Sequence, residues 1–108
     1  MLVFSWNAWN VGHIARHGVT PAEAEYVVRH ARPPFPRKVG DDKRLVWGQT
    51  QRGRHLRVVF VYPPDDEVDV DSLSAADLMA FSDGDATVVY VIHAMELDDD
   101  EKRLFRKL

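Results

Sequence analysis

Apolar and polar positions along the chain alternate with two different periods, and the change of period divides it into a helical start and a strand-rich middle. After Asn7, which can accept hydrogen bonds at a helix start, the pattern fits a first helix to about Arg16 or His17, with Gly18 at the left-handed position that ends helices. Thr20-Pro21-Ala22-Glu23 opens a second helix: threonine caps, proline is tolerated in the first turn, and Glu23 can reach back to the cap. This helix should run to about His30, with Ala24, Val27, Val28 and Ala31 on one face, before Pro33-Pro34 stops it.

The period then shortens to two. Phe35 to Val39 predicts an edge strand, Arg44 to Thr50 and His55 to Tyr62 a hairpin, and Thr87 to Ala94 a last strand. Asp98-Asp99-Asp100-Glu101 caps a final helix to about Lys107, with acids at its positive end and bases at its negative end. Between Tyr62 and Thr87 lies an acidic insertion, residues 65–86, containing a short helix begun by Ser74-Ala75-Ala76-Asp77. The expected fold is α+β: two N-terminal helices, an antiparallel four-stranded sheet covered by helices on one face, and a C-terminal helix. At 108 residues the chain, residues 1–108, is expected to form a single domain.

Composition sharpens this picture in two respects. There is no cysteine, so thiolate chemistry, disulfides and cysteine-based metal sites are excluded. No apolar run approaches the roughly 20 residues of a membrane span, and the first residues lack an export pattern, so no membrane association and a cytoplasmic location are expected. The formal net charge of −3 hides a segregation: residues 1–62 carry a net +6, residues 63–100 a net −12 with no Lys or Arg, and residues 101–108 a net +3. The field met by a partner is local, so a polyanion such as RNA remains a candidate ligand despite the acidic total.

Three groups of residues can carry chemistry. His13 and His17 share a helix face four residues apart, but no spacing selects a third ligand, so no metal site and no cofactor is expected. Arg44, Arg54 and Arg57 recur along the hairpin, suited either to phosphate contact or to keeping exposed strands soluble. Metal-independent RNA cleavage needs groups that move protons and groups that stabilise the phosphorane, and His17, His55 and His93 with Arg44 or Arg57 are of the right types. His93, inside an apolar strand, has the alternative of being a structural histidine. Trp6, Trp9 and Trp47 are expected in the core, and the insertion is either a solvated loop or an acidic arm over the basic face.

The segments Phe4-x-Trp6-Asn7, Ile14-Ala15-Arg16-His17-Gly18-Val19-Thr20, Glu23-Ala24, Arg44 with Gly48, Ile92-His93-Ala94 and Glu101-x-Arg103-x-Phe105 occur in an order that resembles the BrnT toxins. The resemblance covers nearly the whole chain outside residues 65–86. It implies a RelE-like compact fold, a metal-independent ribonuclease that arrests translation, and a ribbon-helix-helix antitoxin as partner. It matches Arg16-His17 to the family's Lys-His pair and Arg44 to its strand arginine. This chain departs from the family pattern at His13 (asparagine there), His93 (serine), Met95 (arginine) and Phe105 (tyrosine). The expected site is then His17, Arg44 and His93 for catalysis, with Arg16, Arg54 and Arg57 contacting RNA. A homo-oligomer is compatible with the sequence.

Overall fold

The computed structural model describes all of residues 1–108. Five strands and four helices follow one another as β1 (Leu2–Ser5), α1 (Ala8–Ala15), α2 (Pro21–Arg29), β2 (Arg37–Val39), β3 (Lys43–Gln49), β4 (His55–Val61), α3 (Ala75–Ser82), β5 (Thr87–Glu96) and α4 (Asp99–Phe105). The caps act as their sequences predict. The Asn7 side chain accepts from the Trp9 and Asn10 amides, Thr20 Oγ1 accepts from the Glu23 amide, and Asp98 accepts from the Glu101 amide. Gly18 adopts φ +70° after α1, a conformation that costs a β-carbon-bearing residue energy.

The α+β class holds, but the sheet differs from the expected one. It has five strands in the order β1-β5-β4-β3-β2, and β1 lies parallel to β5, so it is mixed rather than antiparallel and four-stranded. The fifth strand is the amino terminus. Val3, Phe4 and Ser5 are all buried, so the segment shows no alternation to mark a half-buried strand, and its only partner, residues 87–90, lies more than eighty positions away.

Alternation assigns the two faces of the sheet. Val46 on β3, Leu56, Val58 and Phe60 on β4, and Val89, Val91 and Ala94 on β5 point to one face, where they form the core with Ile14, Val19, Ala24, Val27 and Val28. Helix α2 lies close on β3 because Gly48 presents no side chain: a β-carbon there would stand 3.1 Å from Val27 Cγ1. The opposite face is not bare. The acidic insertion closes over it, with Ser72 Oγ 2.6 Å from Ser5 Oγ, and α4 reaches it through Glu101 and Phe105. Helices therefore occupy both faces, not one. No helix is long and apolar enough to cross a membrane.

Strand β1 ends opposite Tyr90, and α1 continues along the remainder of β5. The junction is held by Asn10, fully buried, whose Nδ2 donates to Ser5 O at 3.0 Å while its Oδ1 accepts from the Asn7 amide at 2.8 Å. Replacing Asn10 with alanine leaves both backbone groups unpaired in the interior. The expected loss is about 2 kcal/mol of unfolding free energy, measured by urea denaturation.

Candidate functional site

Two local features bring distant histidines together. On α1, Trp9 and His13 lie one turn apart, and His17 follows just past the helix end, so their rings form a stripe: Trp9 and His13 stack at 4.9 Å with planes 6° apart, and His13 and His17 lie 6.4 Å apart. On β5, the register with β4 jumps: Phe60 pairs with Val91 but Val59 pairs with His93, leaving Ile92 as an extra residue. Simple alternation from Val89 and Val91 would turn His93 into the core. The bulge reverses this, so that Ala94 enters the core and His93 faces outward. The His93 ring then stands 5.3 Å from His17 and 6.2 Å from His13, centre to centre.

Arg57 completes the group from β4. It is paired with Met95 in the register, with Nη2 3.0 Å from Met95 Sδ, and its Nη1 donates to Glu101 Oε2 at 2.6 Å. The α4 carboxylate thus fixes the guanidinium beside the histidines. Burial pushes the His93 pKa below its ordinary value, and the neighbouring positive charges of His17, Arg57 and His13 push it further the same way. Arg16 is exposed at the end of α1, next to His17 in the chain. Trp9 is 57% exposed and belongs to the surface of this group rather than to the core. No group of three or more His, Cys, Asp or Glu side chains is arranged to hold a metal ion. Chemically, the arrangement brings imidazoles close enough to serve one anionic ligand beside a guanidinium, and burial and its neighbours disfavour the charged form of His93.

The remaining residues singled out from the sequence lie elsewhere. Arg44 pairs with Phe60, whose side chain enters the core, so it projects from the face covered by α1 and α2, opposite His93. Its guanidinium lies over the Tyr62 ring at 5.5 Å. Arg54 is committed to structure: Nε donates to Glu96 at 2.7 Å, and Nη1 donates to Glu23 at 3.1 Å and to Gly18 O at 2.8 Å. His55 packs edge-on against Phe105 at 5.7 Å, and burial, with Arg106 and Lys102 nearby, lowers its pKa. Of the three residues expected to act together, His17 and His93 meet and Arg44 does not. Of the three RNA-binding candidates, Arg57 joins the histidines, Arg16 flanks them and Arg54 is occupied.

No family model, curated protein or solved structure matches the chain. The geometry therefore carries the functional reading alone. Trp9, His13 and Glu101 are the members that sequence reasoning left out of the site. The spacing of Trp9, His13 and His17 was a usable signal for the first two. Glu101 stood out only through the motif Glu101-x-Arg103-x-Phe105, and its pairing with Arg57, 44 positions away, left no mark in the sequence.

Two expectations follow. Burial works against ionised Glu23, but the Thr20 backbone bond and the Arg54 pairing outweigh it and lower its pKa, while Arg54 is raised chiefly by its bond to Glu96. Arg54→Met should therefore cost about 2 kcal/mol in urea unfolding, since it strips charged hydrogen bonds from both glutamates at once. For His55 and His93 the folded pKa lies below the unfolded value near 6.5, so the unfolded chain binds more protons once pH drops under that value. Stability should be fully present above pH about 6.5 and decline as pH falls through the lowered folded values. A H55Q/H93Q double variant should show a shallower decline over that window in pH-dependent thermal unfolding.

Proposed function

We propose that the protein is a metal-independent endoribonuclease of the BrnT toxin kind, acting at the outward face of β5. The observation that carries this reading is the approach of His17 and His93 to 5.3 Å beside Arg57. Cleavage of RNA by attack of the ribose 2′-hydroxyl requires a base to remove its proton, an acid to protonate the departing 5′-oxygen, and positive charge on the phosphorane. His93, kept neutral by its surroundings, is the base. His17, on the exposed side of the pair, gives the proton to the leaving oxygen. Arg57 stabilises the phosphorane oxygens, and Arg16 and His13 draw the phosphate in. In this reaction the 2′-oxygen to phosphorus bond forms as the 5′-oxygen to phosphorus bond breaks, leaving a 2′,3′-cyclic phosphate and a 5′-hydroxyl.

Arg57 also bears on the departure at Met95. The resemblance to the toxins puts an arginine at position 95, and here the guanidinium reaches that place from the neighbouring strand, 3.0 Å from the thioether. A ribbon-helix-helix antitoxin is the partner that the same resemblance implies.

A labelled single-stranded RNA incubated with the protein in excess EDTA should be cut to cyclic-phosphate products. His93→Ala and His17→Ala should each reduce kcat/KM by roughly 10²- to 10⁴-fold with the fold intact. Because His93 must be neutral to accept a proton, the acid limb of the kcat/KM profile should fall below pH 6.5, and Arg57→Gln should move it upward by removing a neighbouring cation. Folded protein that leaves RNA uncut would replace this reading with a non-catalytic, toxin-derived binding module, and cleavage indifferent to both histidines would remove them as the acid and base.

A further inference from the structure

A cavity opens on the same face of the sheet, up β5 from the histidines. It has a volume of about 520 Å³ and lies between the sheet and the acidic insertion, a size within the range of small-ligand sites. Tyr90 lines it from the outer face of β5, Tyr62 borders it at the end of β4 with its ring turned towards Phe60, and the exposed residues Asp42, Glu67 and Asp69 contribute to its rim. Tyr90 is held in place by its hydroxyl, which donates to Asn7 Oδ1 at 3.2 Å. Tyr90 also stacks towards Trp9, which stacks on His13, so aromatic rings run without a break from the cavity to the proposed cleavage site.

We infer that this cavity receives a guanine base of the RNA substrate, next to the phosphate that is cut. The inference rests on the ribonuclease reading for its location and on the cavity's own chemistry for its selectivity. The Tyr90 ring can stack on any base, and so brings it in without choosing among bases. The choice falls to the rim, which offers carboxylate acceptors: no protein donor bonds the Asp42 or Glu67 side chain, and Asp69 accepts only from the Asp71 amide. Guanine alone among the RNA bases presents two adjacent donors, N1–H and the 2-amino group, on its Watson–Crick edge, and one carboxylate can accept both. Adenine and cytosine set an acceptor beside their donor, and uracil flanks a single donor with two carbonyls, so each would turn a lone pair toward a carboxylate. The same negative charge repels phosphate and keeps the backbone on the histidine side. Tyr90 and His93 are three residues apart on one strand, roughly 10 Å, which is comparable to the reach of one nucleotide.

This assigns the insertion a task that its composition concealed. Glu67 and Asp69 belong to it, and the arm lies beside the basic site and supplies the acceptor half of a base pocket.

The test uses the full chain and the 5′-monophosphates of guanosine, inosine, adenosine, cytidine and uridine, titrated by NMR chemical-shift perturbation, together with cleavage of RNAs that differ in a single base. Guanosine monophosphate should bind roughly tenfold or more tightly than the others, inosine included, because inosine lacks the 2-amino donor. Glu67→Gln and Asp42→Asn, both at exposed positions, should erase the preference without weakening adenosine monophosphate. Inosine binding as well as guanosine, or no guanosine preference in either binding or cleavage, overturns the inference. So does tighter binding of N-acetylarginine amide that the same variants abolish, which would make the cavity a receptor for a basic protein side chain. Guanosine selectivity without cleavage of any RNA leaves the pocket standing and removes the ribonuclease reading. Cleavage with no base preference does the reverse.

Discussion

One extra residue in β5 decides what the outer face of the sheet can do. The core fixes Val89 and Val91 on one side and Ala94 on that same side three positions later, and only a bulge at Ile92 reconciles the two. Without it, His93 would point into an apolar core, where an imidazole would need a buried partner. With it, the second half of β5 presents His93 and Met95 outward, across from Val59 and Arg57. The bulge also stands just beyond the point where β1 stops pairing and α1 takes over alongside β5, so the helix that carries His13 and His17 meets the strand where His93 emerges. Position and orientation are thus set together.

Two arginines three positions apart show how partners, more than residue type, assign roles. Arg54 stands in the turn just before β4 and Arg57 within the strand, yet Arg54 ties the Gly18 carbonyl beyond α1, the first turn of α2 and the end of β5 into one junction. That junction holds the α1 terminus next to His17 in place. Arg57 bonds one carboxylate, from α4, and otherwise faces a thioether and the histidines. A guanidinium against sulfur rather than a second carboxylate keeps more of its charge available to an incoming anion.

The charge segregation along the chain acquires a spatial meaning in the folded state. The acidic insertion does not extend away from the sheet. It returns to the outer face and is fastened there through Ser72 and Ser5, beside Tyr90. One face of one sheet therefore carries the histidine group with Arg57 at one end and the carboxylates of Glu67 and Asp69 at the other, joined by the Trp9 and Tyr90 rings. A ligand that has both an anionic and a donor-rich part meets complementary charge at each end, an arrangement suited to fixing orientation.

The sequence by itself determined what depends on neighbours in the chain. The caps at Asn7, Thr20, Ser74 and Asp98, the stop at Gly18 and the β3–β4 hairpin were all legible, because side chains a few positions apart make those bonds. The stripe through His13 and His17 was legible too, since helical geometry repeats locally. The tertiary structure decided the rest. Burial on both sides hid β1 as a strand until β5 was available to pair with it. Period-two alternation places His93 in the core, and only the register against β4 moves it outward. Arg44 and Arg57 look equivalent along the hairpin, and cross-strand pairing puts them on opposite faces. Pairings over such separations depend on which surfaces the whole chain can bury at once, and no local pattern records that.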